Sequence, residues 1–99
     1  MTTTRLSSAS MKIAFHVDPI ARLKAYKDSS VAMMRAAQAR GHQIFAIEPG
    51  GVFSSRGVVQ AFAQPIAVND DDHDWYELYE KATIPLNEFD AVIECKDPP

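Results

Sequence analysis

The feature that most constrains this 99-residue chain lies at residues 11–30, where a short apolar run stops at Asp18-Pro19 and a polar stretch leads into Lys27-Asp28-Ser29-Ser30. Ile13, Phe15 and Val17 are apolar and Ala14 is small, which is the pattern of a buried strand. Proline then removes a backbone donor where strand pairing would continue. Asp28, Ser29 and Ser30 offer side-chain oxygens to the free N–H groups of a helix expected to begin near Val31. A strand, a polar loop and a helix start in that order put a candidate binding site at the carboxyl end of the first strand. The same order also fits a βα turn with a purely structural role.

Ala32, Met33, Met34, Ala36, Ala37 and Ala39 continue the helix, with Arg35 and Gln38 expected on its polar side. Arg40-Gly41 ends it, the glycine being free to adopt a left-handed cap. Ile44, Phe45, Ala46 and Ile47 read as a second strand, stopped by Pro49-Gly50-Gly51. Strand, helix and strand with tight connections predict a βαβ unit with parallel strands and a right-handed crossover.

Beyond this unit the pattern changes. Val52-Phe53, a turn over residues 54–57 and the partly alternating residues 58–68 predict an antiparallel ribbon, in which Pro65 is expected to mark an edge. Residues 69–74 form a charged connector, and residues 75–83 fit a short helix and a strand equally well. Residues 84–89 read as a short helical turn around Pro85, and Ala91-Val92-Ile93 as a third buried strand. That strand runs into Cys95-Lys96-Asp97-Pro98-Pro99, where a further helix and strand would normally follow, so the sheet is expected to be incomplete at its C-terminal side.

Composition removes several classes of function. A chain of this length that is 46% hydrophobic and 23% charged suits one core and not two. A formal net charge of −3, with ten scattered Lys and Arg, gives no footprint for nucleic acid. No apolar run approaches the roughly 20 residues of a membrane span. The lone Cys95 rules out an internal disulfide and fits a reducing, cytoplasmic setting. Residues 1–10 are polar and free of acids and are expected to form a disordered leader before Met11.

Few residues suggest chemistry by spacing alone. Backbone N–H groups at the helix start, beside Asp18 and Lys27, suit a carboxylate or phosphate. No glycine-rich phosphate loop is present: Pro49-Gly50-Gly51 and Gly57 lack the spacing and the following lysine. Asp70, Asp71, Asp72, His73 and Asp74 lack the alternation and glycine of a calcium loop and read as a solvated connector. His16 faces away from Phe15 and Val17 and reads as a packed or hydrogen-bonded histidine. Asp18, Glu48 and Lys96-Asp97 are expected at three strand ends along one edge of the sheet, the last pair held by the diproline.

The order of these motifs closely resembles the amino-terminal part of bacterial glutathione synthetases. The matching positions are Asp18-Pro19-Ile20, Lys27-Asp28-Ser29-Ser30, Ala32-Met33, Arg40-Gly41, Pro85-Leu86, Asp90 and Lys96-Asp97-Pro98-Pro99, and the likeness runs from Met11 to Pro99. The resemblance implies a small Rossmann-like α/β domain, of the three-layer kind that precedes an ATP-grasp fold, with a short parallel sheet and an antiparallel edge ribbon. It also implies a ligase that uses ATP and Mg2+ to join γ-glutamylcysteine to glycine through an acyl phosphate. The nucleotide and metal ligands would lie downstream, so neither cofactor is expected on this stretch alone. The full-length enzyme would be a homo-oligomer, without nucleic-acid or membrane partners. What falls to this stretch is one wall of the substrate cleft, with Asp18, Lys27, Asp28, Ser29, Lys96 and Asp97 as the matching positions. The family commonly carries arginine where this chain has Cys95, so an anion contact made by that arginine has no equivalent here. Two other readings stay open: a small standalone binding module, and a flavodoxin-like nucleotide domain, which would need a phosphate loop after Val17.

Overall fold

The computed structural model describes residues 10–95. Most of the expected leader, and the expected positions of Lys96, Asp97 and the diproline, lie outside the described residues.

The expected βαβ unit is present. Strand β1 (Lys12–His16) leads through a 3-10 turn at Ile20–Arg22 to helix α1 (Ser29–Ala39) and then to β2 (Gln43–Ile47), which runs parallel to β1. The helix stops as the sequence predicts: Gly41 adopts φ 87°, and its N–H and that of His42 take the Gln38 and Ala37 carbonyls. The last strand, β7 (Ala91–Glu94), lies parallel to β1 on the side away from β2. Its register is set by a reciprocal contact in which Lys12 N–H donates to the Asp90 carboxylate at 2.8 Å and Asp90 N–H donates to Lys12 O at 2.8 Å.

Between β2 and β7 the chain forms the antiparallel part. Strands β3 (Val52–Ser55) and β4 (Val58–Val68) make the expected hairpin, whose turn holds Arg56 and Gly57 at φ 55° and 80°. Two successive positive φ values define a type I′ turn, the one whose twist suits a two-residue hairpin. Strands β5 (Tyr76–Leu78) and β6 (Ala82–Pro85) follow, so residues 75–83 resolve as strand and not helix. A 3-10 turn at Leu86–Glu88 then leads into β7.

One expectation needs correction here. Pro65 does not mark an edge: β4 pairs with β2, β3, β5 and β6 and is the most connected strand of the sheet. Phe62 N–H donates toward the β3 side, to Gly51 O, and peptide groups alternate sides along a strand. Pro65 therefore faces the β5–β6 side, where its carbonyl accepts from Tyr79 at 2.9 Å and its missing donor falls at the seam between those two short strands. The polar side chains of α1 reach the far end of β4. Gln38 donates to Val68 O at 2.7 Å and accepts from Val68 N–H at 2.8 Å, while Arg35 donates to Asn69 O at 2.8 Å and Asp71 O at 3.1 Å. The amide of Gln38 acts as a one-residue strand along the side of β4 that β2 has already left.

The sheet carries a core on each face. On one, Val31 and Met34 of α1 pack with Ile13, Phe15, Val17, Ile44 and Ala46, and the curl of β4 brings in Ile66, Val68 and Trp75. On the other, Ala14, Phe45, Ile47, Ala61 and Ala63 meet Phe89, whose ring stands edge-on to Phe45 at 5.2 Å. Phe89 thus anchors the connection that delivers the chain to β7.

Candidate functional site

The carboxyl ends of β2, β1 and β7 fall on one edge of the sheet because the three strands are parallel. Asp18 stands exposed two residues beyond β1. The loop that leaves this edge closes into a tight turn over residues 24–28 before α1 begins. Asp28 N–H donates to Lys24 O at 2.8 Å, and the Asp28 carboxylate accepts in return from Lys24 N–H. That reciprocal contact presents Lys27 to solvent and buries Ala25 beneath it.

The expected capping role therefore fails. Asp28 occupies the N-cap position with extended backbone, but neither it nor another side chain caps the helix, because its carboxylate is turned back to Lys24. α1 also starts earlier than the sequence suggests, at Ser29 rather than near Val31. Its first-turn N–H groups, on exposed Ser29 and buried Ser30, are left without a side-chain acceptor at the same edge as Asp18. A helix start in that condition carries partial positive charge and favours an anion.

Glu48 follows β2 directly and so stands at this edge, as the sequence reading expects. Its carboxylate accepts from Ile20 N–H at 2.8 Å and ties the end of β2 to the 3-10 turn after β1. Sequence reasoning also misses the partner of His16. The β1–β7 register sets His16 opposite Glu94, and Nδ1 meets the Glu94 carboxylate at 2.7 Å. The other ring nitrogen, Nε2, is buried without a partner among the described residues. Only the register, which brings together residues far apart in the chain, reveals this pair.

Cys95 follows directly. Its N–H donates to His16 O at 2.9 Å, extending the β1–β7 ladder by one bond. Burial raises its thiol pKa, and the Glu94 carboxylate beside it adds to the effect. The thiol is thus held in its neutral form, the opposite of an activated nucleophile.

The acidic connector behaves as a structured loop. Asp71 accepts from His73 N–H at 2.7 Å and Asp74 N–H at 2.9 Å, and Asn69 accepts from Asp71 N–H at 2.7 Å. The backbone N–H groups of Asp74 and His73 hold the Asp71 carboxyl below its usual range. Among the described residues no three His, Cys, Asp or Glu side chains are grouped as metal ligands. Nor is any helix among them long and apolar enough to cross a membrane.

Asp18, Lys27, Asp28 and Ser29 share this edge by topology, but none of them lines the cavities beside Val92, Trp75 or Gln38. Fold and edge together define a small mixed α/β domain with a parallel core and a polar carboxyl edge. The profile of the family described as "Prokaryotic glutathione synthetase, N-terminal domain" matches residues 11–99. The chain is 46% identical over 89 residues to the glutathione synthetase of Ralstonia nicotianae, covering 90% of this chain and 28% of that protein. It is 46% identical over 94 residues to that of Bordetella pertussis, covering 90% of this chain and 30% of the relative. For Pseudomonas aeruginosa the identity is 40% over 90 residues, covering 91% and 28%. The chain belongs to the prokaryotic glutathione synthetase N-terminal domain family. It spans less than a third of the length of these curated relatives.

Proposed function

We propose that this domain forms one wall of the substrate cleft of a glutathione synthetase, a cytoplasmic, homo-oligomeric ligase that joins γ-glutamylcysteine to glycine. The observation that carries this reading is the uncapped start of α1 at the carboxyl edge of the sheet, where the one nearby carboxylate able to cap it is committed to Lys24. γ-Glutamylcysteine carries two carboxylates and one ammonium group at neutral pH. The amides of Ser29 and Ser30 and the exposed ammonium of Lys27 suit a carboxylate. Asp18 suits the substrate ammonium, and Asp28 shapes the turn that presents Lys27. Lys96 and Asp97 are assigned to the same cleft on their match to the family's motif alone.

The order β2-β1-β7 supports the Rossmann-like reading. α1 covers one face of the paired strands, and the connection through Phe89, which enters β7 at its amino end, packs on the other.

The described residues do not fit ATP or Mg2+, since they offer neither a grouped metal-ligand set nor a glycine-rich phosphate loop. Activation of the substrate carboxylate as an acyl phosphate is therefore assigned to the part of the longer relatives outside this domain. Here the domain's own residues bind and orient.

The test compares the 99-residue chain with a fusion of that chain to the C-terminal part of the Ralstonia synthetase. Given ATP, Mg2+, γ-glutamylcysteine and glycine, the chain alone is expected to release no phosphate. The fusion is expected to release it only when both γ-glutamylcysteine and glycine are present. Turnover by the chain alone, or a folded fusion without activity, overturns the reading.

A further inference from the structure

A cavity of about 360 Å3 lies between the loop that precedes α1 and the acidic connector that precedes β5. That volume falls at the lower end of small-molecule sites, which run from about 300 to 1,000 Å3. Both walls are fixed in place by hydrogen bonds. On the loop, the N–H groups of Lys27 and Asp28 donate to Lys24 O, and the Asp28 carboxylate accepts from Lys24 N–H. On the connector, the Asp71 carboxylate accepts from the N–H groups of His73 and Asp74, and Arg35 donates to the carbonyls of Asn69 and Asp71. A preformed site loses less freedom when a ligand binds.

The lining divides by chemistry. Trp75, only 3% exposed, stands edge-on to Tyr76 at 4.6 Å, and with Leu23 the two rings give the cavity an apolar surface. Tyr26 adds a third ring and, at 68%, is the most exposed large hydrophobic side chain among the described residues. Lys24 brings a positive charge on the loop wall, and Asp72, with His73 beside it, a negative one on the connector wall. Asp72 meets Arg35 through Oδ1 at 3.6 Å, which leaves Oδ2 for a ligand, and Lys24 has no ion pair among the described residues. A molecule that satisfies both walls carries one negative charge, one positive charge and a flat apolar group.

We propose that this cavity binds a free aromatic α-amino acid, with its carboxylate on Lys24, its ammonium on Asp72 and its ring among Tyr26, Trp75 and Tyr76. Asp18, Lys27, Asp28 and Ser29 do not line it, so the proposal stands apart from the substrate reading.

The test titrates L-phenylalanine, 3-phenylpropionate and phenethylamine into the 99-residue chain, followed by the emission of Trp75, the sole tryptophan and part of the lining. A cooperative urea transition establishes that each protein is folded. Phenylalanine is expected to bind with a Kd of about 0.05–2 mM, as suits a ligand of this size, and each analogue at least about threefold more weakly. Lys24→Met weakens phenylalanine and 3-phenylpropionate about threefold or more and leaves phenethylamine within about twofold. Asp72→Asn weakens phenylalanine and phenethylamine and spares 3-phenylpropionate. Lys12→Met, at the amino end of β1, changes none of them. No saturation below about 10 mM in the folded chain overturns the proposal, as does an analogue that binds as tightly as phenylalanine, or a pair of cavity variants without effect. Saturation-transfer NMR repeats the series on the fusion to the C-terminal part of the Ralstonia synthetase, where the same order of affinities is expected and absence of binding overturns the assignment. γ-Glutamylcysteine, whose glutamyl end is also an α-amino acid, completes the series: binding to the chain that Lys24→Met weakens gives the cavity to the substrate and overturns the proposal too.

Discussion

Replacing Gln38 tests whether one side chain closes the end of β4. Its amide makes two hydrogen bonds to the peptide groups of Val68, at 2.7 and 2.8 Å, and Val68 is only 6% exposed. A net hydrogen bond contributes about 0.5–1.5 kcal/mol, and a buried peptide group left without a partner costs about 1–3 kcal/mol. Gln38→Met keeps the length and removes both bonds, so the expected loss is about 2–3 kcal/mol. For a domain of this size that lowers the melting midpoint by roughly 10–20 °C. Gln38→Glu keeps the acceptor for Val68 N–H but turns a carboxylate oxygen toward Val68 O. Protonation restores a donor, so the carboxyl is more basic in the folded chain than in the unfolded one. The stability deficit of Gln38→Glu is then largest near neutral pH and shrinks as pH falls through the carboxyl range. Urea titrations followed by the fluorescence of Trp75, the sole tryptophan and 3% exposed, measure both variants. A loss below about 0.5 kcal/mol for Gln38→Met, or a pH-independent deficit for Gln38→Glu, refutes the reasoning.

Two further outcomes are expected. Gly51→Ala sets a Cβ 2.9 Å from Glu48 O and 3.0 Å from Ile47 Cγ2, and the carbonyl cannot move without disturbing its bond from Gly51 N–H; chemical unfolding should show a loss of about 1–3 kcal/mol. Because burial and then Glu94 raise the Cys95 pKa, its alkylation in the folded chain should be slower than that of a free thiol at pH 8 and should climb only at higher pH. Glu94→Gln should shift that profile toward lower pH, and an unshifted profile contradicts the assigned contribution of Glu94.

What the sequence makes legible is what neighbouring residues decide. The βαβ unit follows from apolar runs cut by Pro19 and Pro49, and from a glycine placed where the helix must turn left-handed. The hairpin at residues 52–68 follows from its turn, and the last strand from Ala91-Val92-Ile93. Features set by register are not legible in this way. Pro65 looks like an edge marker until its missing donor is seen to face the seam between two short strands. Residues 75–83 carry both periodicities, and pairing with β4 decides between them. The partner of Gln38 is not legible because it lies 30 residues away. At the candidate site, Asp18 and Lys27 stand exposed at the expected edge. Asp28 does not cap α1 because the backbone N–H of Lys24 claims its carboxylate, and the Ile20 N–H engages Glu48. Neither competition can be read from residue types alone.

The most direct test of the central claim is steady-state kinetics of Lys27→Met in the active fusion, varying γ-glutamylcysteine, glycine and ATP in turn. Losing one charge-assisted bond to a substrate carboxylate raises the KM for γ-glutamylcysteine roughly 10–100-fold, leaving kcat and the KM values for glycine and ATP nearly unchanged. A folded variant whose KM for γ-glutamylcysteine stays within about twofold of the parent would contradict the assignment of this edge to the substrate cleft.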